Sequence, residues 1–273
     1  MQPGIDERAE PRVHPGIDEK SEWDERYAES DRIWSGQPNG ALVAEVSGIE
    51  PGRVLDVGCG EGADAIWLAA HGWKVTALDV STLAVQRAVA HAHAAGLTVD
   101  FLGVGLFDAD LDPGSFDLVS ALYPALRHTP ERDTEGLLLD LVAPGGTLLF
   151  VHHVLDASHG KHHDHDEGHR FDPADYVSVA DMRGRLDVGW LVEVDEERDR
   201  QISGGGGAHH ALDQVLRVRR VVPTYSGDRQ PDHELEVLEA DQSVPPRPEE
   251  VIADAGRGPS LRDLGEEEGL ASI

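Results

Sequence analysis

One cysteine, Cys59, stands in the whole of this 273-residue chain, so no internal disulfide can form and burial must hold the fold. Nothing near Cys59 in sequence would lower its pKa, and it is expected to act as a small side chain rather than a thiol nucleophile. Lysine is almost as scarce, with Lys20, Lys74 and Lys161 the only three among 23 basic residues. Basic residues of either kind are outnumbered by 52 acids, which leaves a formal charge of -29. Such a field repels polyanions and argues against nucleic-acid or anionic-membrane partners. The acid-rich, lysine-poor surface fits adaptation to high salt, and codon bias plus an acidic tail explains it equally well. Long apolar runs are missing as well: no stretch of about eighteen apolar residues exists to span a bilayer. The first residues are polar and acidic rather than basic and then apolar, unlike a signal peptide. A cytoplasmic protein with a small-molecule partner is the expectation.

What is present begins at Val54-Leu55-Asp56-Val57-Gly58-Cys59-Gly60-Glu61-Gly62, an apolar strand running into a glycine-rich turn. A second apolar strand, Val75-Thr76-Ala77-Leu78, closes on Asp79 and Val80. Glycines permit positive φ and let a ligand approach the backbone, and the amphipathic run from Ala63 to Ala70 supplies a helix whose N–H groups point into the turn. Gly58, Gly60 and Ala63 also satisfy the dinucleotide fingerprint, so glycine spacing leaves a NAD(P)-dependent oxidoreductase open. Charge separates the readings. Asp56 and Glu61 are expected to face the space that a diphosphate would fill, where like charges repel. S-adenosylmethionine carries a sulfonium and an ammonium, which an acidic turn attracts, and Asp79 is placed to accept hydrogen bonds from its ribose hydroxyls.

At Asp56 to Gly62 the chain matches D-x-G-x-G-x-G in full and resembles the class I S-adenosylmethionine-dependent methyltransferases. The resemblance extends through Phe116-Asp117-Leu118-Val119-Ser120-Ala121, similar to a fourth strand, and Leu141 to Leu149, similar to the turn into a fifth. It covers residues 20 to 221. Trp23, Trp34 and Ser35-Gly36-Gln37-Pro38-Asn39 resemble the N-terminal segment of tellurite-resistance and thiopurine methyltransferases, which implies a lid over the cofactor. The resemblance implies a Rossmann-like, doubly wound, seven-stranded and mostly parallel α/β sheet with one antiparallel strand. It also implies a cofactor site of Trp23, Trp34, Asp56, Gly58, Gly60, Glu61, Gly62, Asp79, Val80, Leu106 and Ala121. Relatives place an acid after the third strand to accept the adenine amino group. Gly105 stands there in this chain, and Asp108 or the backbone of Leu106 and Phe107 is expected to take its place, a surface role for Asp108 being the alternative.

Three regions follow: a disordered leader over residues 1–20, where Pro-Gly-Ile-Asp-Glu occurs twice, a catalytic domain over 21–221, and an acidic disordered tail over 222–273. Between Pro223 and Ile273 lie 13 acids and 4 bases. Parallel strands are predicted at 53–57, 74–78, 98–103, 116–121 and 147–153, with a last pair near 191–196 and 211–218. Asn39 is a predicted cap for a helix through Val46, and Gly96 for the end of a helix over 83–95. Residues 159–169 hold five histidines and three carboxylates, read as a solvated loop with no metal site assigned, although a non-enzymatic metal or metalloid binder on a degenerate scaffold stays open. His152, His153, His209, His210, Tyr123 and His128 are candidates for proton transfer, with capping or packing roles as the alternative. No catalytic residue is assigned, because an aligned sulfonium donor and a soft thiol or metalloid acceptor react without a base.

Overall fold

Strand β1 (Arg53–Val57) owes its position at the sheet centre to four consecutive residues that are buried on both faces. The computed structural model describes residues 19–128, 133–154, 173–200 and 211–222, all within one unit. Around β1 stand β2 (Lys74–Leu78), β3 (Asp100–Leu102), β4 (Phe116–Leu122), β5 (Val142–His153), β6 (Trp190–Asp199) and β7 (Leu212–Arg220). Their order is β3-β2-β1-β4-β5-β7-β6. Strands β1 to β5 run parallel, and β7 lies antiparallel to both β5 and β6. This is the expected doubly wound sheet with one antiparallel member.

Alternation along each strand sorts the core into two layers. Leu55, Val119, Leu148 and Phe150 pack on one face with helices α5 (Thr134–Leu141) and α6 (Val179–Gly184). Val54, Leu118, Leu149 and Val151 pack on the other with α2 (Gly40–Val46) and α3 (Ala63–Ala70). A Leu55→Ala truncation in such a layer would cost about 2–5 kcal/mol. Helix α4 (Thr82–Ala94) buries an alanine-rich stripe at Ala84, Ala88 and Ala92, and α1 (Glu19–Ala28) packs against it.

Several boundaries differ from expectation. Helix α1 begins at Glu19, so the last two positions of the supposed leader are helical, and Glu19 and Glu22 place acids in its first turn, where the helix dipole favours them. Strand β3 is short, β5 starts five residues early, and β6 and β7 extend further because each pairs along its whole length with its neighbour. Asn39 occupies the N-cap position of α2 but makes no capping bond; its side chain is turned to Asp64 instead. Gly96 does adopt the left-handed conformation, with φ of 67°. Residues 1–18, the histidine-rich segment, His209, His210 and nearly all of the acidic tail lie outside the described residues.

Candidate active site

The turn after β1 is built on three left-handed glycines, Gly58, Gly60 and Gly62, with φ of 73°, 52° and 86°. Its conformation is pinned by its neighbour strand. The N–H groups of Gly58 and Cys59 both donate to the Leu78 carbonyl at 2.9 Å, and the Gly60 N–H donates to Asp79 Oδ2 at 2.9 Å. Side chains are excluded for different reasons along the turn. A Cβ at Gly60 would sit 2.9 Å from the Tyr27 hydroxyl, and one at Gly62 would sit 2.8 Å from Ala88 Cβ. At Gly58 the nearest atom is Pro124 Cα at 3.9 Å, and Gly58 is exposed. The open side of the turn therefore lies at Gly58, toward the loop after β4.

Three carboxylates crowd this end of the sheet. Asp56 is buried, accepts one bond from the Ser120 hydroxyl at Oδ1, and leaves Oδ2 buried with no hydrogen-bond partner. Burial, and then the charge of Asp64, push its pKa well up. Asp64 is raised by burial, although the Asn39 N–H and side-chain amide each donate to it at 2.7 Å. Asp79 is raised by burial too; its two oxygens hold the Gly60 and Ser81 N–H groups and retain further lone pairs. An unpaired buried carboxylate oxygen among further acids is an unmet electrostatic demand that a cationic ligand satisfies. By this test the residues present fit the ammonium and sulfonium of S-adenosylmethionine.

Glu61 corrects the expectation. Its carboxylate accepts from Arg87 at 3.0 Å and from the Ile33 and Trp34 N–H groups at 3.3 and 3.2 Å, so it anchors the N-terminal segment and does not face a ligand. That segment forms a cover. Trp34 Nε1 donates to the Tyr27 hydroxyl at 2.8 Å, directly over Gly60. Asp24 accepts from the Ser81 hydroxyl at 2.6 Å and the Leu83 N–H at 3.0 Å, and Arg127 reaches Glu22 at 3.1 Å. Trp23 is half-buried in α1, flanked by Tyr27 and Arg26. Val80 is half-buried beyond Asp79. Ala121 and Leu106 instead belong to the core beneath the site, because the alternation of β4 and the turn at Leu106 point both inward. The Asp108 carboxylate lies 3.5 Å from the place of a Cβ at Gly105. Burial and the charges of Asp56 and Asp79 push the Cys59 thiol well up, which suits a small side chain.

Beyond β4 lies a second polar group of residues. Tyr123 takes a positive φ of 52°, its hydroxyl donates to Asp213 Oδ2 at 2.9 Å, and its ring stacks on His153 at 4.3 Å. Arg200 lies over the same ring and 3.7 Å from Asp213 Oδ1. Burial and then the charge of His153 push His152 down to about 4. His128 stands apart, between Glu135 and Asp181 on α5 and α6. Asp213 and Arg200 escaped sequence reading; the one signal was an acid at an inward position in the alternating strand Leu212-Asp213-Gln214-Val215.

Residues 54–146 match the family model described as a methyltransferase domain. The matched segment runs from β1 through the glycine turn and Asp79 into β5. The sequence is 35% identical over 109 residues to a ribosomal RNA small subunit methyltransferase C of Alcanivorax borkumensis, covering 37% of this chain and 32% of that protein. It is 34% identical over 113 residues to a ubiquinone biosynthesis O-methyltransferase of Pectobacterium atrosepticum, covering 41% of this chain and 46% of that protein. The chain thus spans about a third of the length of the first relative and just under half of the second. A solved structure described under the conversion of a disulfide bond into a thioacetal group during echinomycin biosynthesis superposes with a TM-score of 0.59 and 26% identity. It covers 77% of this chain and 94% of its own.

Proposed function

We propose that this protein transfers the methyl group of S-adenosylmethionine to a small molecule, with a soft nucleophile such as a thiol or metalloid as acceptor. The observation that carries the reading is the buried, unpartnered Oδ2 of Asp56 beside Asp64 and Asp79. S-adenosylmethionine supplies a methyl carbon already activated by a positively charged sulfur. Asp56 and the open backbone at Gly58 hold its cationic end, Asp79 accepts from its ribose, and Asp108 or the backbone at Leu106 serves its adenine. Trp23 and Trp34 belong to the cover that excludes water. Glu61 and Gly62 shape the turn from behind.

The formal net charge of -29 favours a small acceptor over RNA, even though one relative is an rRNA methyltransferase. A sulfur acceptor draws support from the thioacetal-forming neighbour and from the resemblance to thiopurine and tellurite-resistance methyltransferases. Three buried acids speak against a diphosphate and hence against NAD(P). Among the described residues, no group of three metal-ligating side chains gathers and no helix is long and apolar enough to cross a membrane. Calorimetry is the test. S-adenosylmethionine should bind with an affinity that falls by roughly 100-fold or more in Asp79→Ala, equivalent to about 2.8 kcal/mol, while NADH leaves the protein's heat signal and its own fluorescence unchanged. NADH binding with no response to S-adenosylmethionine would reverse the conclusion.

A further inference from the structure

Tyr123 takes a left-handed φ of 52° although it is bulky and precedes a proline, and each of these disfavours that region. Such a backbone persists only where its surroundings over-determine it. The restraints on Tyr123 itself are plain: its N–H donates to the Val151 carbonyl at 2.8 Å, its hydroxyl donates to Asp213 Oδ2 at 2.9 Å, and its ring stacks on His153. Downstream, the Leu126 carbonyl accepts from the Val177 N–H at 2.8 Å. Between these two anchors stands Pro124, which has no N–H and offers only its carbonyl to a hydrogen bond.

His152 takes that carbonyl. Its Nδ1 accepts the His153 N–H at 3.0 Å, which leaves Nε2 to carry the proton of the neutral ring. The ring is also bonded to the backbone of Pro124, where only an acceptor exists, so Nε2–H is the donor. Burial and then the charge of His153 keep the imidazole neutral down to about 4, so the strut holds one charge state and one tautomer through neutral pH. Pro124 is buried, and it is the nearest residue to the place of a Cβ on exposed Gly58, at 3.9 Å. Strut, strained step and the open side of the glycine turn are therefore in direct succession.

We propose that His152 is a positioning residue for the methyl donor: by holding the Pro124 carbonyl it keeps the Tyr123–Pro124 step against Gly58 and fixes the boundary of the space that takes the donor's amino-acid end. The inference rests on the methyl-transfer reading above, which puts that cationic end at Asp56 and the Gly58 backbone. It assigns no proton transfer to His152, because both ring nitrogens are occupied within the protein. Without the strut the step relaxes toward the extended backbone that a residue before proline prefers, and Pro124 leaves its place beside Gly58. The ribose side is built separately, since Asp79 holds the Gly60 and Ser81 N–H groups. Loss of His152 is thus expected to weaken what binds at Gly58 and to spare what binds at Asp79.

The test uses the full chain and two ligands, S-adenosylmethionine and 5′-methylthioadenosine, which shares the adenosine and the sulfur but lacks the amino-acid end. In calorimetry, His152→Phe should weaken S-adenosylmethionine by roughly tenfold or more while 5′-methylthioadenosine stays within about threefold of wild type. His152→Gln, whose amide places an N–H near the position of Nε2, should return S-adenosylmethionine to within about threefold of wild type. Nitrogen-15 NMR of the wild-type His152 ring should show a proton on Nε2, a bare Nδ1 and no titration until pH approaches about 4. That spectrum stands whether or not His152→Phe folds. An equal loss of both ligands, which a merely structural role gives, overturns the inference. So does S-adenosylmethionine binding in His152→Phe within about threefold of wild type, a His152→Gln chain as weak as His152→Phe, or a wild-type ring that titrates near about 6.5. Failure of wild type to bind S-adenosylmethionine at all is a separate result, and it removes the methyl-transfer reading together with this inference.

Discussion

On the β1–β2 side of the sheet's carboxyl edge, Asp56, Asp64 and Asp79 are buried together and, among the described residues, none is ion-paired. On the β5–β7 side, Asp213 is buried to the same degree but lies against Arg200, His153 and the Tyr123 hydroxyl. The first group, where ionised, carries negative charge with no countercharge beside it; the second is balanced by the Arg200 guanidinium. The two groups stand on either side of β4 at one edge of the sheet.

The largest effect that would sharpen this contrast is expected on the unbalanced side. Asp56→Asn removes a buried carboxylate that has no countercharge and one oxygen without a hydrogen-bond partner, so it should raise the Tm of the ligand-free chain while weakening donor binding by about 2–5 kcal/mol. Paired thermal melts and calorimetry check this, and a fall in both quantities breaks the comparison. Because burial raises the Asp56 and Asp79 pKa values, donor affinity in wild type should decline as pH falls, starting above the usual carboxylate range, as the acids take up protons and lose the charge that binds.

A smaller effect is expected where charge is already matched. Glu61→Gln breaks the ion pair to Arg87 and weakens the bonds to the Ile33 and Trp34 N–H groups. It should cost about 1.5–3 kcal/mol of stability in denaturant melts and lower donor affinity only through the looser cover. If Glu61 instead touched the donor, binding would fall more than stability. Smallest is the acid response of α1. Bonds from Lys20, the Ser81 hydroxyl and the Leu83 N–H overcome burial and hold the Asp24 carboxyl down to about 2. A carboxyl with a depressed folded pKa stabilises at pH above its unfolded value and loses that stabilisation as pH falls through the folded one. The docking of α1 should therefore weaken between pH of about 4 and about 2, by less than about 1 kcal/mol because Asp24 is 30% exposed. The Trp23 contribution to fluorescence, taken as the difference between wild type and Trp23→Phe, reads it.

Strand positions and the glycine turn were legible from residues because period and composition encode them: Val54 to Val57 is a mostly apolar run that is buried throughout, and a turn at Gly58, Gly60 and Gly62 needs backbone angles that other residues resist. Asp79 was legible for the same reason, closing β2 next to that turn. Glu61 was misread because sequence shows a charge in a loop but not which way it points, and Arg87 lies 26 residues away. Ala121 was misplaced because an inward residue near a strand end looks the same in sequence as one at its rim. Asp213 is 90 residues from Tyr123, and nothing local marks the pair.

By itself the sequence determined that an acidic glycine turn would stand at the head of a parallel sheet, since apolar period, glycine φ and an acid at each strand end are local properties. Only the tertiary structure decided which acids are unpaired, which are consumed by the N-terminal cover, and that β7 brings Asp213 beneath His153. Those outcomes depend on burial and on distances between segments far apart in the chain, where the strength of a charge is set by what folds against it.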